Sequence, residues 1–308
     1  MRLAVAALVA ALGLGALLAL PAPSGERDEP APWSRAASMP QRRSYIAGAE
    51  LGGLLYAAGG MVGETGRPLA TVTRYDPASD SWQTVRPLPQ ATRAAAGAAV
   101  ADRVFVVGGT TAAGNTAAVW AYDPARDRWS PRAPLPEPRY NHSAVALDGR
   151  LYVLGGLADR RPSRDVFVYS PGENRWRRTS PLPRALHAFG AVAFAGELWV
   201  LGGRRGERVL RTVFTFDPET GDWRHGPAMA RPMELLGADT SGDEIHAVWE
   251  STYQIYNAST GAWRDGPSLA TTRHALEAFA VDGVLYTIGG CTTALRDSPA
   301  VERRPIEA

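Results

Sequence analysis

The residues best suited to chemistry recur at one register of a repeating chain. Counted back from each Gly-Gly pair, or from Trp249-Glu250 where the pair is missing, one point is occupied by Ser44, Arg93, Tyr140, His187, Glu234 and His274. The position before it carries Arg43, Thr92, Arg139, Leu186, Met233 and Arg273, and the position after it Tyr45, Ala94, Asn141, Ala188, Leu235 and Ala275. Two chemistries follow. Glu234 falls between His187 and His274 in repeat order, and a carboxylate flanked by imidazoles suits general acid–base work. These three are the candidates for any catalysis. The arginines suit a different task, because a guanidinium grips a carboxylate or phosphate with two parallel hydrogen bonds. The candidate ligand-binding set is therefore Arg43, Arg93, Arg139, Tyr140, Asn141, His187, Arg205, Glu234, Arg273 and His274, with Arg160, Arg161, Arg164 and Arg204 nearby in the same loops. The set favours binding over catalysis.

Several function classes find no support. The chain lacks a P-loop, H-E-x-x-H, paired Cys-x-x-Cys and G-x-S-x-G, and its five histidines have no metal-ligand spacing. Neither a metal nor a cofactor is expected. Formal net charge is +2, so global charge names no partner and nucleic acid is not expected. All 33 basic residues are Arg, which suits a GC-rich bacterial genome.

What must position these residues is a run of short strands. The clearest unit spans 139–176, where strand-like runs cover 143–147, 150–154 and 165–169. Asp148-Gly149 separates the first two as a two-residue hairpin signal. Gly155-Gly156 ends the second, where the chain must bend and pack closely. Pro171-Gly172 turns the chain after the third, and Trp176 anchors a short fourth strand. One four-stranded sheet cannot bury both faces alone and needs neighbours of its own kind. They are present: Gly-Gly recurs at 59-60, 108-109, 155-156, 202-203 and 289-290, and Trp at 33, 82, 129, 176, 223 and 263, with a period of about 47 residues. The Trp residues, one per repeat, are expected to pack between repeats and not to bind sugar.

With Gly-Gly, then an aromatic residue (Tyr75, Tyr122, Tyr169, Phe216, Tyr256), then Trp in each repeat, the chain resembles the kelch family of β-propellers. The resemblance covers about residues 33–305 and implies an all-β fold of six blades. Five are continuous, at 42–85, 91–132, 138–179, 185–226 and 232–266. The sixth combines 272–306 with 31–37, so the N- and C-terminal strands close the ring within one domain, 33–306. Blade five departs from the pattern at Trp249-Glu250, read as drift. In propellers the innermost strand lines a central channel, which puts the aligned positions at its mouth. The resemblance implies three functions: a non-catalytic binding module for an acidic protein segment or anionic ligand at an Arg-rich mouth; a sugar epimerase similar to the sialic acid mutarotases; or an envelope scaffold. Galactose oxidase, a copper enzyme with a kelch-type propeller, needs a Cys cross-linked to a Tyr, and the sole Cys291 in a Gly-Gly-Cys segment argues against it.

Met1-Arg2 and the apolar run 3–20 read as a secretory signal within 1–22, or an uncleaved anchor, followed by a flexible leader at 23–32. Export to the periplasm or outside the cell is expected, with membrane contact only if the segment stays uncleaved. A single cysteine permits no internal disulfide, and Cys291 reads as a small buried strand residue.

Overall fold

The computed structural model describes residues 32–63, 65–292 and 296–306. The expected signal, and all but the last residue of the leader, lie outside the described residues. Six four-stranded antiparallel sheets form a six-bladed β-propeller. Their innermost strands are Ala47–Leu51, Ala96–Val100, Ser143–Leu147, Gly190–Phe194, Gly237–Ser241 and Glu277–Val281, in blades one to six. The last blade is closed by both ends of the chain: Ser34–Arg35 pairs antiparallel with Val301–Pro305, Ser34 opposite Arg303. This pairing removes an open edge from the ring.

In blade three the first two strands fall at Ser143–Leu147 and Arg150–Leu154, and the third at Val166–Ser170, one residue later than the sequence pattern predicts. Asp148 and Gly149 both have positive φ, 50° and 69°, as a type I′ turn requires. The core lies between successive sheets. Ala49 and Tyr56 of blade one pack on Val104 and Val106 of blade two, and Phe105 of blade two shares a cluster with Leu151 and Val153 of blade three.

The Trp residues fasten each blade to the one before it. The indole N–H groups of Trp33, Trp82, Trp129, Trp176, Trp223 and Trp263 donate to the carbonyls of Pro267, Ala37, Arg86, Ala133, Ser180 and Pro227. Gly-Gly serves the same junctions nearer the axis. A Cβ on Gly156 would lie 2.5 Å from the His142 Cβ, and one on Gly155 2.9 Å from the Leu186 carbonyl. The Gly156 N–H donates to that carbonyl at 2.9 Å.

Blades one to four each carry a short accessory hairpin after Gly-Gly: Met61–Val62 with Arg67–Pro68, Thr110–Thr111 with Gly114–Asn115, Leu157–Ala158 with Arg161–Pro162, and Arg204–Arg205 with Arg208–Val209. Blade five has none among the described residues. Its Glu244–Trp249 and Thr252–Asn257 strands join directly, with Glu250 at φ 54°.

Candidate functional site

Where the chain enters each innermost strand, three consecutive residues have different surroundings. The first of the three points into the blade. Arg43, Arg139 and Arg273 are each 0% exposed. Their guanidinium groups donate to the carbonyl of the first Gly of their own blade: Arg43 to Gly59 at 2.9 Å, Arg139 to Gly155 at 2.9 Å and Arg273 to Gly289 at 2.6 Å. Thr92 replaces them in blade two, bonding Gly108 through its hydroxyl. Arg43 and Arg273 also donate to Thr73 and Thr287, and Arg273 pairs with the buried Glu302 at 2.7 Å. Arg139 stacks on the Phe167 ring, 4.7 Å from its centroid. These three arginines, expected at the channel mouth, are instead internal braces of the Gly-Gly bend. The apolar equivalents Leu186 and Met233 were the sequence signal for a buried column.

The third residue of each triplet forms a collar. Tyr45, Ala94, Asn141, Ala188, Leu235 and Ala275 are all left-handed, with φ between 46° and 56°. Each N–H donates to the carbonyl of its counterpart in the preceding blade, at 2.7 to 3.3 Å, so six hydrogen bonds run once around the axis. The strain of a non-glycine left-handed residue is held by the blades on either side. The collar sets the orientation of the second residue of each triplet: Ser44, Arg93, Tyr140, His187, Glu234 and His274.

Those six do not act as one constellation. Glu234 is engaged by Arg204, whose Nη1 lies 3.1 and 3.2 Å from the two carboxylate oxygens. Burial, then Arg204, holds His187 below the ordinary imidazole value, with Glu234 opposing. His274 turns to Cys291, its Nε2 3.1 Å from Sγ. Burial, then Asp297, pushes the free, buried thiol up to about 11, with Ser44 opposing. The Ser44 hydroxyl donates its proton to Asp297 at 2.6 Å. The His–Glu–His grouping expected from the sequence is thus divided between Arg204 and Cys291.

Tyr45, Met61, Arg93, Thr110, Tyr140 and Asn141 line a depression, and Arg93, Tyr140, Thr110, Asn115 and Arg160 line a cleft that shares three of these residues. The Arg93 guanidinium rests on the Met61 thioether, 3.3 Å away, and among the described residues it has no carboxylate partner. Burial, with Cys291 and Glu234 adding to it, raises the Tyr45 phenol to about 12, so it remains a donor. Arg205 is exposed on the accessory hairpin of blade four.

Below the collar the channel is lined by Ile46, His142, Phe189, Leu236 and Leu276 together with a column of small residues, in which Glu277 is the exception. Its counterparts are Ala47, Ala96, Ser143, Gly190 and Gly237. A Cβ on Gly48 would lie 2.6 Å from the Glu277 Cγ, so Gly48 makes room for this side chain. Burial raises the Glu277 carboxyl to about 8, against a hydrogen bond from the Gly48 N–H. The sequence reading missed Glu277; the one acidic residue in a column of Ala, Ser and Gly was the available signal.

Residues 45–235, more than half of the chain, match the KLHDC2/KLHL20/DRC7 Kelch-repeats domain. Mouse Kelch-like protein 35 is 42% identical over 77 residues, and its human counterpart 40% over 82. Mouse Kelch-like protein 26 is 42% identical over 77 residues. These segments cover 25 to 27% of this chain and only 12 to 14% of those longer proteins. The solved structure of YjhT superposes with a TM-score of 0.75 at 15% identity, over 87% of this chain and 97% of that one, which speaks to the fold alone. By the match over 45–235 and its ring of Gly-Gly blades, the chain belongs to the kelch-repeat β-propeller family.

Proposed function

We propose that this protein is an exported binding module, without catalysis of its own, whose channel mouth takes an acidic group from a protein segment or small anion. The observation that carries this reading is Arg93. It is half-buried among Met61, Tyr45 and Tyr140, and among the described residues no carboxylate neutralises it. A partly desolvated guanidinium without a counter-ion offers charge-assisted hydrogen bonds to an incoming carboxylate. Membership of the kelch family supports a binding role in general terms. The test is capture of partners from the native cell envelope by immobilised wild type, Arg93→Ala and Arg205→Ala. Arg93→Ala is expected to lose capture at least about tenfold, and Arg205→Ala, exposed on the rim, to lose little. Equal capture by all three would reject the reading.

A second reading rests on Glu234 and His187. A carboxylate held by Arg204 beside an imidazole kept below its ordinary value is suited to moving a proton to and from a sugar hydroxyl. An activity similar to that of the sialic acid mutarotases needs this chemistry and no cofactor. Nuclear magnetic resonance of freshly dissolved sialic acid tests it: acceleration of anomer exchange that Glu234→Gln removes supports it, and no acceleration ends it.

A further inference from the structure

The accessory hairpins differ at one point. In blades one, two and four, glycine takes the left-handed position: Gly63 and Gly66, Gly114, and Gly206. In blade three the two-residue loop is Asp159-Arg160, with φ 45° and 64°. The flanking register, Ala158 opposite Arg161, makes this a type I′ turn, whose second position favours glycine most strongly. The tip therefore keeps an arginine at a strained backbone position that glycine would relieve. Arg160 forms no ion pair among the described residues and lines the cleft between the hairpins of blades two and three.

The cleft is furnished with donors. Arg93 and Arg160 both line it, together with Tyr140 and Asn115. Thr110 Oγ1 donates to Asn115 Oδ1 at 3.1 Å, so the acceptor end of this amide is engaged and its N–H groups are what it can offer a ligand. Among the described residues, none that lines the cleft is acidic. We infer that Arg160 is a ligand clamp: with Arg93 it closes a carboxylate subsite between the hairpins of blades two and three, and the Asp159-Arg160 turn is kept strained to aim it. This rests on the binding role proposed for Arg93 and adds the second wall of that site.

A carboxylate can come from an acidic side chain or from a sugar acid, and one experiment separates these sources. The full chain is titrated into a fluorescein-labelled hexaglutamate peptide, with glucuronate as competitor, using wild type, Arg93→Ala, Arg160→Lys and the double variant Asp159→Asn/Arg160→Gly. The double variant installs the preferred turn, so it is expected to melt at or above the wild-type temperature while binding weakens at least about fivefold. Arg160→Lys is expected to retain part of the affinity, as a point charge without the fork. Displacement of the peptide by glucuronate from wild type assigns the subsite to sugar acids, and failure to displace assigns it to peptide side chains; both keep the clamp. If Arg93→Ala loses binding while the double variant binds like wild type, the clamp is wrong and the role of Arg93 stands. If the double variant melts well below wild type, the claim of strain is overturned. If wild type binds neither probe, both readings fall.

Discussion

The indole N–H of Trp129 donates to the main-chain carbonyl of Arg86 across the boundary between blades one and two, at 2.9 Å. Asp127, two residues before the Trp, accepts the N–H of the same Arg86, also at 2.9 Å, and the Tyr122 hydroxyl donates to that carboxylate at 2.6 Å. Tyr, Asp and Trp of one blade thus clasp a single residue of its neighbour. Tyr75, Asp80 and Trp82 do so around Ala37, and Tyr169, Asn174 and Trp176 around Ala133. In blades four and five only the Trp bond remains, because Gly221 and Gly261 stand where the Asp or Asn would be.

Trp129→Phe keeps most of the apolar contact and removes the indole donor. The expected loss is about 1–2 kcal/mol, since the Arg86 carbonyl is left without its partner. Urea unfolding followed by circular dichroism measures it. A midpoint equal to that of wild type would show that the indole hydrogen bond adds nothing to this junction.

Arg273→Ala strips the partner from Glu302 inside blade six, where both side chains are almost wholly buried. Breaking such a pair costs about 3–5 kcal/mol. The folded fraction is expected to bind an anionic peptide as wild type does. A variant of unchanged melting temperature that no longer binds would return Arg273 to the mouth.

Glu277 gives the protein a pH dependence of definite sign. Its carboxyl value in the folded chain is raised to about 8, so between the ordinary carboxyl range and there the folded state holds a proton that the unfolded chain has lost. Stability is fully present below the ordinary carboxyl range and declines as pH rises toward about 8. Asp239, raised to about 6 by burial with Glu50 adding to it, contributes in the same direction. Glu277→Gln is expected to flatten this slope in urea midpoints compared at mildly acid and mildly alkaline pH. A slope unchanged in the variant would show that the carboxyl stays hydrated in the channel.

His142 works in the opposite direction. Burial, then the charge of Arg139, lowers its imidazole to about 3, so the unfolded chain takes up the proton first. Stability is lost as pH falls from the ordinary imidazole range toward about 3. Leu236 and Leu276 occupy the equivalent point in blades five and six. His142→Leu is accordingly expected to fold and to resist acid better than wild type. Equal acid midpoints for the two proteins would contradict this.

Most of the ring was legible in the sequence because each blade repeats the same constraint. Gly-Gly marks the close approach at Gly155 and Gly156, and Trp marks each clasp. What the alignment did not resolve was direction. It pooled Arg139, Tyr140 and Asn141 into one mouth, although only Tyr140 and Asn141 line it while Arg139 turns inward to Gly155. Nor does spacing reveal pairing: Glu234 and His274 share a register, yet Arg204 and Cys291, each just after a Gly-Gly pair, claim one apiece.

The central claim is that an acidic group binds beside Arg93 and not elsewhere on this arginine-rich surface. A crystal structure of the protein with a hexaglutamate peptide tests it most directly. The account predicts a carboxylate within hydrogen-bonding distance of the Arg93 guanidinium, close to Tyr140. Peptide ordered only on the outer strand around Arg175 and Arg177, with nothing at the mouth, would contradict it.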